Sequence, residues 1–146
     1  MLLTGHDDLA KMVDGYLRAA LWTWTDAEGR APFGAEDDSD LRTIFTTESI
    51  VSASADCIAF LREVAEQSYF VTGQKVWPEA YQALVDMEPH QAGHDFWLSR
   101  GRHGGGFLDR GLGAGGDRLA AAARWCGDVA LRVEQLPNES YEATFQ

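Results

Sequence analysis

From Leu9 onward the apolar residues recur at Leu9, Met12, Val13, Tyr16, Leu17, Ala20, Leu21 and Trp24, the three-then-four spacing of a helix with one buried face. Thr4 or Asp7 suits its N-terminal cap. Tyr16, Trp22 and Trp24 are expected to pack inward, with Trp22 lying off the main stripe. A second helix is predicted over about 47–68, with Ile50, Ser54, Cys57, Ile58, Leu61, Val64 and Ala65 on one face and Thr46 or Thr47 as cap. Past a break at Gly73, Pro78 fits the first turn of a shorter helix that carries Tyr81, Leu84 and Val85 inward and is ended by Pro89. A further helix fits Gly116 to Cys126, with Leu119, Ala122, Ala123 and Cys126 on one stripe and Gly127 as its stop. Val129, Leu131 and Val133 then alternate as a short strand does. The polar tail after Pro137 reads as loose.

Between the third and fourth of these helices lies GHDFWLSRGRHGGGFLDRG, Gly93 to Gly111. Phe96 and Leu98 alternate with Trp97 and Ser99, Arg100-Gly101-Arg102 supplies a turn, and Gly106 and Phe107 suggest a returning strand. The economical reading is a β-hairpin near 94–108. The expected fold is therefore α+β: several helices packed on a small antiparallel sheet made by that hairpin and the strand near Val129. A chain of 146 residues with 45% hydrophobic content can bury a core of its own, so one compact domain over 1–146 is expected. No internal repeat is visible.

Charge narrows the possible partners. The formal net charge is −11, and such a field repels phosphates at long range, which argues against direct binding to nucleic acid or an acidic membrane. It suits the basic surface of another protein. Residues 1–40 hold nine carboxylates against three basic side chains, and the densest cluster falls in DAEGRAPFGAEDDSD, an acidic loop near 26–40. Glu36, Asp37, Asp38 and Asp40 are the candidate partner-binding residues. The plainer reading is that this loop only keeps the surface solvated. It is no calcium loop, because the alternating ligands, central Gly and distant Glu are missing. Cys57 and Cys126 show no CxxC and no dense spacing, so they read as small buried hydrophobes in a reducing, cytoplasmic setting. No apolar run is long enough for a membrane span, and no targeting segment is expected.

The stretch over 93–118 reverses the sign, with four arginines against three aspartates. Arginines offer planar charged donors and glycines allow close backbone approach, so Arg100, Arg102 and Arg110 are candidates for binding an anion. The glycines do not match GxxxxGK[ST], and GLGAGG at 111–116 only partly resembles a dinucleotide loop. The plainer reading makes these glycines turns and a helix entry, with Arg110 and Arg118 pairing with Asp109, Asp117 or the acidic loop. For catalysis, His94, Asp95 and His103 could meet across the hairpin, two imidazoles with a carboxylate to orient one of them. Such residues more often satisfy buried polar groups, and no catalytic residue is assigned on that account. The spacing of the two histidines is not that of a metal site, and neither a metal nor a cofactor is expected.

At these residues the chain resembles a family of small proteins encoded by bacteriophages, prophages and other mobile elements, whose hallmark reads roughly GHDFWLTRNGHGAGFWDRG. The similarity extends more loosely to YLRAALWTWTD, ADCIAFLRE and GDRLAAAARWCGDVALRV. It implies a mobile-element setting and no particular reaction. Three departures stand out: Gly101-Arg102 replaces the family's Asn-Gly, Leu108 replaces an aromatic, and the C-terminal end reads EQLPNESYEATFQ. Two function classes follow. One is an acidic, non-enzymatic binder that inhibits host or defence machinery in the bacterial cytoplasm, as anti-CRISPR and DNA-mimic proteins do. The other is a small enzyme or ligand sensor using His94, Asp95 and His103, with the arginines, on an anionic ligand.

Overall fold

The computed structural model describes residues 5–34, 38–66, 79–101 and 103–146, and the backbone alone of 69–71 and 74–76. In chain order the elements are α1 (His6–Thr23), α2 (Leu41–Ile44), α3 (Thr47–Glu66), β1 (Tyr69–Val71), β2 (Gln74–Val76), α4 (Glu79–Val85), α5 (Pro89–Arg100), a 3₁₀ turn (Gly106–Asp109), α6 (Ala114–Trp125), β3 (Leu131–Gln135) and β4 (Tyr141–Phe145). The class is α+β, with helices packed around an antiparallel hairpin β3-β4, while β1-β2 forms a second small hairpin.

Three helices form where one-sided spacing places them. On α1 the stripe from Met12 to Leu21 is buried. Its N-cap is Gly5, which offers no side-chain cap, and Asp7 sits in the first turn, where its charge complements the positive end of the helix. The other proposed cap, Thr4, lies outside the described residues. On α3, Thr46 is the cap: its Oγ1 accepts the Ser49 N–H at 3.2 Å. The proposed break at Gly73 and the helix start at Pro78 also fall outside the described residues. Helix α6 ends one residue before Cys126, and Gly127 adopts φ 82°, a left-handed turn that suits glycine.

The segment 94–108 is not a hairpin, and this corrects the reading of the central motif. Pro89 occupies the first turn of α5, which continues to Arg100; the Gly101 and His103 amides then donate to the Trp97 and Leu98 carbonyls at 3.1 and 3.0 Å. Alternation misleads here because Phe96, Trp97, Leu98 and Ser99 are all buried. A helix enclosed on every side has no polar face from which a period can be read.

Helix α5 makes its most extensive contact with α1. A Cβ at Gly93 would stand 1.8 Å from the Met12 carbonyl oxygen, and one at Gly15 would stand 1.9 Å from the His90 carbonyl oxygen. The two backbones touch at both points, running antiparallel. Only glycine admits that approach. Around the pair, Phe60 stacks on Phe96 at 4.5 Å between ring centroids, Phe107 on Phe60 at 5.6 Å, and Trp97 meets Tyr16 edge-on at 5.3 Å.

The C-terminal residues are a docked strand and not a loose tail. Ala143 pairs with Val133 across the hairpin and is fully buried, and Phe145 packs on Phe45 at 5.5 Å. The Thr46 amide donates to the Ala143 carbonyl at 3.3 Å, and the Phe145 amide to Ser49 Oγ at 3.2 Å. Tyr141, Ala143 and Phe145 are the alternating residues that carry the strand inward.

Candidate functional site

Helix α5 places the polar residues of the motif, and most of them point into the fold. Asp95 is wholly buried. Its Oδ2 accepts Arg110 Nε at 3.0 Å, and its Oδ1 accepts Arg110 Nη2 at 2.9 Å and Gln91 Nε2 at 2.7 Å. His94 Nδ1 lies 3.4 Å from the same Oδ1. Burial by itself would raise the Asp95 pKa, but the contacts from His94, Arg110 and Gln91 outweigh it and hold the carboxyl below its ordinary value. The bidentate fork fixes Arg110 and, through it, the chain that leaves the 3₁₀ turn.

Arg100 is the second inward anchor. Its Nη1 donates to Asp56 Oδ2 at 2.7 Å and to the Tyr16 hydroxyl at 2.9 Å, Nε donates to the Gly127 carbonyl at 2.7 Å, and Nη2 to the Cys126 carbonyl at 3.0 Å. Its guanidinium also lies over the Phe96 ring. One side chain thereby ties α5 to α1, to α3 and to the turn that ends α6. Burial disfavours its charge, yet Tyr16 and Asp56 prevail and the Arg100 pKa is raised. Tyr16 is pushed up in turn, chiefly by burial.

Of the anion-binding candidates, Arg100 and Arg110 are each committed to a different carboxylate within the protein. Arg100 has only 3% of its side chain exposed, and four protein acceptors take its donors. Arg110 is committed to Asp95 instead of Asp109 or Asp117, and Arg118 approaches Glu79 at 3.4 Å. Arg102 lies outside the described residues. With no hairpin, the basis for joining the two histidines is gone. His94 stacks on Trp22 at 5.5 Å, which leaves Trp22 40% exposed, and His103 stacks on Trp97 at 6.1 Å.

In the described part of the acidic stretch, carboxylates bond to near neighbours in sequence. Asp26 turns the chain by accepting the Arg30 amide and guanidinium at 2.8 Å each and the Glu28 amide at 3.0 Å, and backbone hydrogen bonding from Arg30 leads the causes that lower its pKa. Asp40 caps α2 by accepting the Arg42 amide at 3.0 Å. Asp38 is exposed and has neither a hydrogen bond nor an ion pair among the described residues. Glu36 and Asp37 lie outside them.

Compared with protein-family models, with curated proteins and with solved structures, the chain matches none. Among the described residues, no group of three His, Cys, Asp or Glu side chains is placed to hold a metal ion, and no helix is long and apolar enough to cross a membrane. Cys57 is buried and Cys126 half-buried, both as free thiols, and burial pushes each thiol up, away from the reactive thiolate.

Sequence reasoning missed Asp56, Gln91 and Tyr16 as partners of the motif. The Arg100–Asp56 and Arg100–Tyr16 contacts join residues 44 and 84 positions apart, and no local spacing encodes them. Gln91 and Asp95 were within reach, since a pair four apart on a helix faces the same side, but only once that segment is read as helical.

Proposed function

We propose that this chain is a non-enzymatic acidic binder of phage or mobile-element type, acting in the bacterial cytoplasm by covering a basic surface on host or defence machinery. The observation that carries this reading is the division of charge. Arg100, Arg110 and the buried Asp95 carboxylate find their partners within the protein, while most of the described carboxylates of a −11 chain stand toward solvent, with Asp38 unpaired among the described residues. Exposed, unpaired carboxylates steer encounter with a positive patch and are free to pair across an interface. Asp38 and Asp40, with Glu36 and Asp37 beside them in sequence, are the proposed contacts.

The test is capture of a basic partner from bacterial lysate by the wild type and by the Asp37→Lys/Asp38→Lys/Asp40→Lys variant. The wild type is expected to release its partner steeply with rising salt, and the reversed variant to capture none while remaining folded. Equal capture by both proteins overturns the assignment of this surface.

A second reading rests on one specific contact. Asp95 holds the Nδ1 edge of a quarter-exposed His94, the arrangement in which a carboxylate orients an imidazole for proton transfer. On that reading, a small anionic substrate or sensed ligand would meet His94, and His94→Ala would remove activity without lowering Tm.

A further inference from the structure

A cleft of about 370 Å³ opens between the end of α5, the glycine loop after it, and the last turns of α6. Among the described residues it is lined by Ser99, His103, Gly105, Leu108 and Arg124. We propose that this cleft binds the phosphate of a small organic phosphate monoester.

Four observations converge on that chemistry. Arg124 is exposed and its guanidinium, unlike those of Arg100 and Arg110, has no ion pair or hydrogen bond among the described residues. A guanidinium left unpaired in a chain with nearly twice as many acids as bases is available to an outside anion, and its planar fork matches phosphate oxygens. Ser99 is buried at the cleft and accepts the Phe107 amide at 3.3 Å, which leaves its hydroxyl hydrogen to donate. The Gly104 and Gly105 amides have no acceptor among the described residues, and a loop of such N–H groups is a natural anion cradle. His103, held flat against Trp97, adds a ring nitrogen at the rim.

An apolar residue of the lining sets the class of ligand. Leu108 is half exposed on the lip of the cleft, and an apolar side chain there gives no benefit to a bare ion. It favours an ester whose organic group covers it. One group opposes the ligand: a Cβ at Gly105 would lie 3.6 Å from an Asp109 carboxylate oxygen, so that charge stands close to the proposed phosphate. Neutralising it strengthens binding.

The experiment titrates the full-length protein with phenyl phosphate and, separately, inorganic phosphate at constant ionic strength, following amide and histidine NMR shifts. Saturable shifts are expected at Gly104, Gly105 and His103, with phenyl phosphate several-fold tighter than the inorganic ion. Arg124→Gln should weaken binding at least about tenfold, the scale of a lost charge-assisted hydrogen bond. Asp109→Asn should tighten it. Arg62→Gln, which removes an exposed charge on α3 that has no ion pair among the described residues, should leave it unchanged. No saturable shift with either probe, or equal weakening by Arg124→Gln and Arg62→Gln, overturns the site. Equal affinity for the two probes overturns the ester. Either failure leaves the acidic-binder reading untouched, because none of these residues belongs to the 26–40 surface.

Discussion

Helix α5 and the acidic stretch over 26–40 are both dense in charge, and the fold treats them oppositely. In α5, Asp95 is wholly buried and every strong donor around it is aimed at its two oxygens. In the acidic stretch, Asp38 is exposed and has no ion pair among the described residues. A carboxylate taken out of water is tolerable only when its acceptors are filled, and removing the filler leaves an uncompensated charge. An exposed one adds little to folding. The same residue type is thus a structural rivet in one place and an exposed, unpaired charge in the other.

The largest effect should come from Arg100→Ala. It strips the donors from Asp56, from the Tyr16 hydroxyl and from the Cys126 and Gly127 carbonyls at once. The expected loss is about 4 kcal/mol by urea unfolding, in the range for breaking a buried ion pair. A loss below about 1 kcal/mol, the scale of an exposed pair, would show that Arg100 is no buried anchor. Asp95→Ala should follow at about 3 kcal/mol, since Arg110 is 40% exposed and partly recovers its hydration. Gly93→Ala tests the helix crossing itself. A methyl 1.8 Å from a backbone oxygen forces α1 and α5 apart, and about 2 to 3 kcal/mol of stability should go with it.

How much of this was legible differs between the same two regions. Helices α1, α3 and α6 each bury one stripe, so their periods survive in the sequence. Helix α5 buries Ala92, Gly93, Asp95, Phe96, Trp97, Leu98, Ser99 and Arg100, and a segment enclosed all round reads as a short apolar run with stray charges. Alternation of Phe96 and Leu98 then resembles a strand. The motif's glycines resemble turn residues, although Gly93 serves the crossing with α1 and Gly105 and Gly106, at φ 94° and 75°, the exit toward the 3₁₀ turn. The C-terminal strand was hidden because Ala143 and Phe145 sit among polar neighbours. Within the candidate site, the acidic surface was visible from composition, whereas the inward ties of Arg100 and Arg110 depend on long-range packing.

Acid titration sharpens the comparison further. Because the Asp95 pKa is held below its ordinary value in the fold, its contribution to stability is complete above the ordinary carboxylate range. It is lost as pH falls through the lowered native value. Wild-type protein should therefore lose stability below about pH 4 more steeply than Asp95→Asn, whose residue 95 no longer titrates. Thermal melts at stepped pH check this, and parallel slopes would remove Asp95 from the account of acid unfolding.

The smallest stability effects are expected in the acidic stretch, where they discriminate most. Asp40→Lys removes the cap on the Arg42 amide and should cost about 1 kcal/mol. Asp38→Lys should change stability by no more than about 0.5 kcal/mol, the ordinary range for a surface residue without special contacts. If Asp38 is a partner contact, that single reversal weakens capture and flattens its salt dependence while the melting curve stays in place. A residue that only keeps the surface solvated would change neither. Loss of capture without loss of stability is the signature that binding occupies this face, and it contrasts with Arg100→Ala, where capture can fall only as the fold itself is lost.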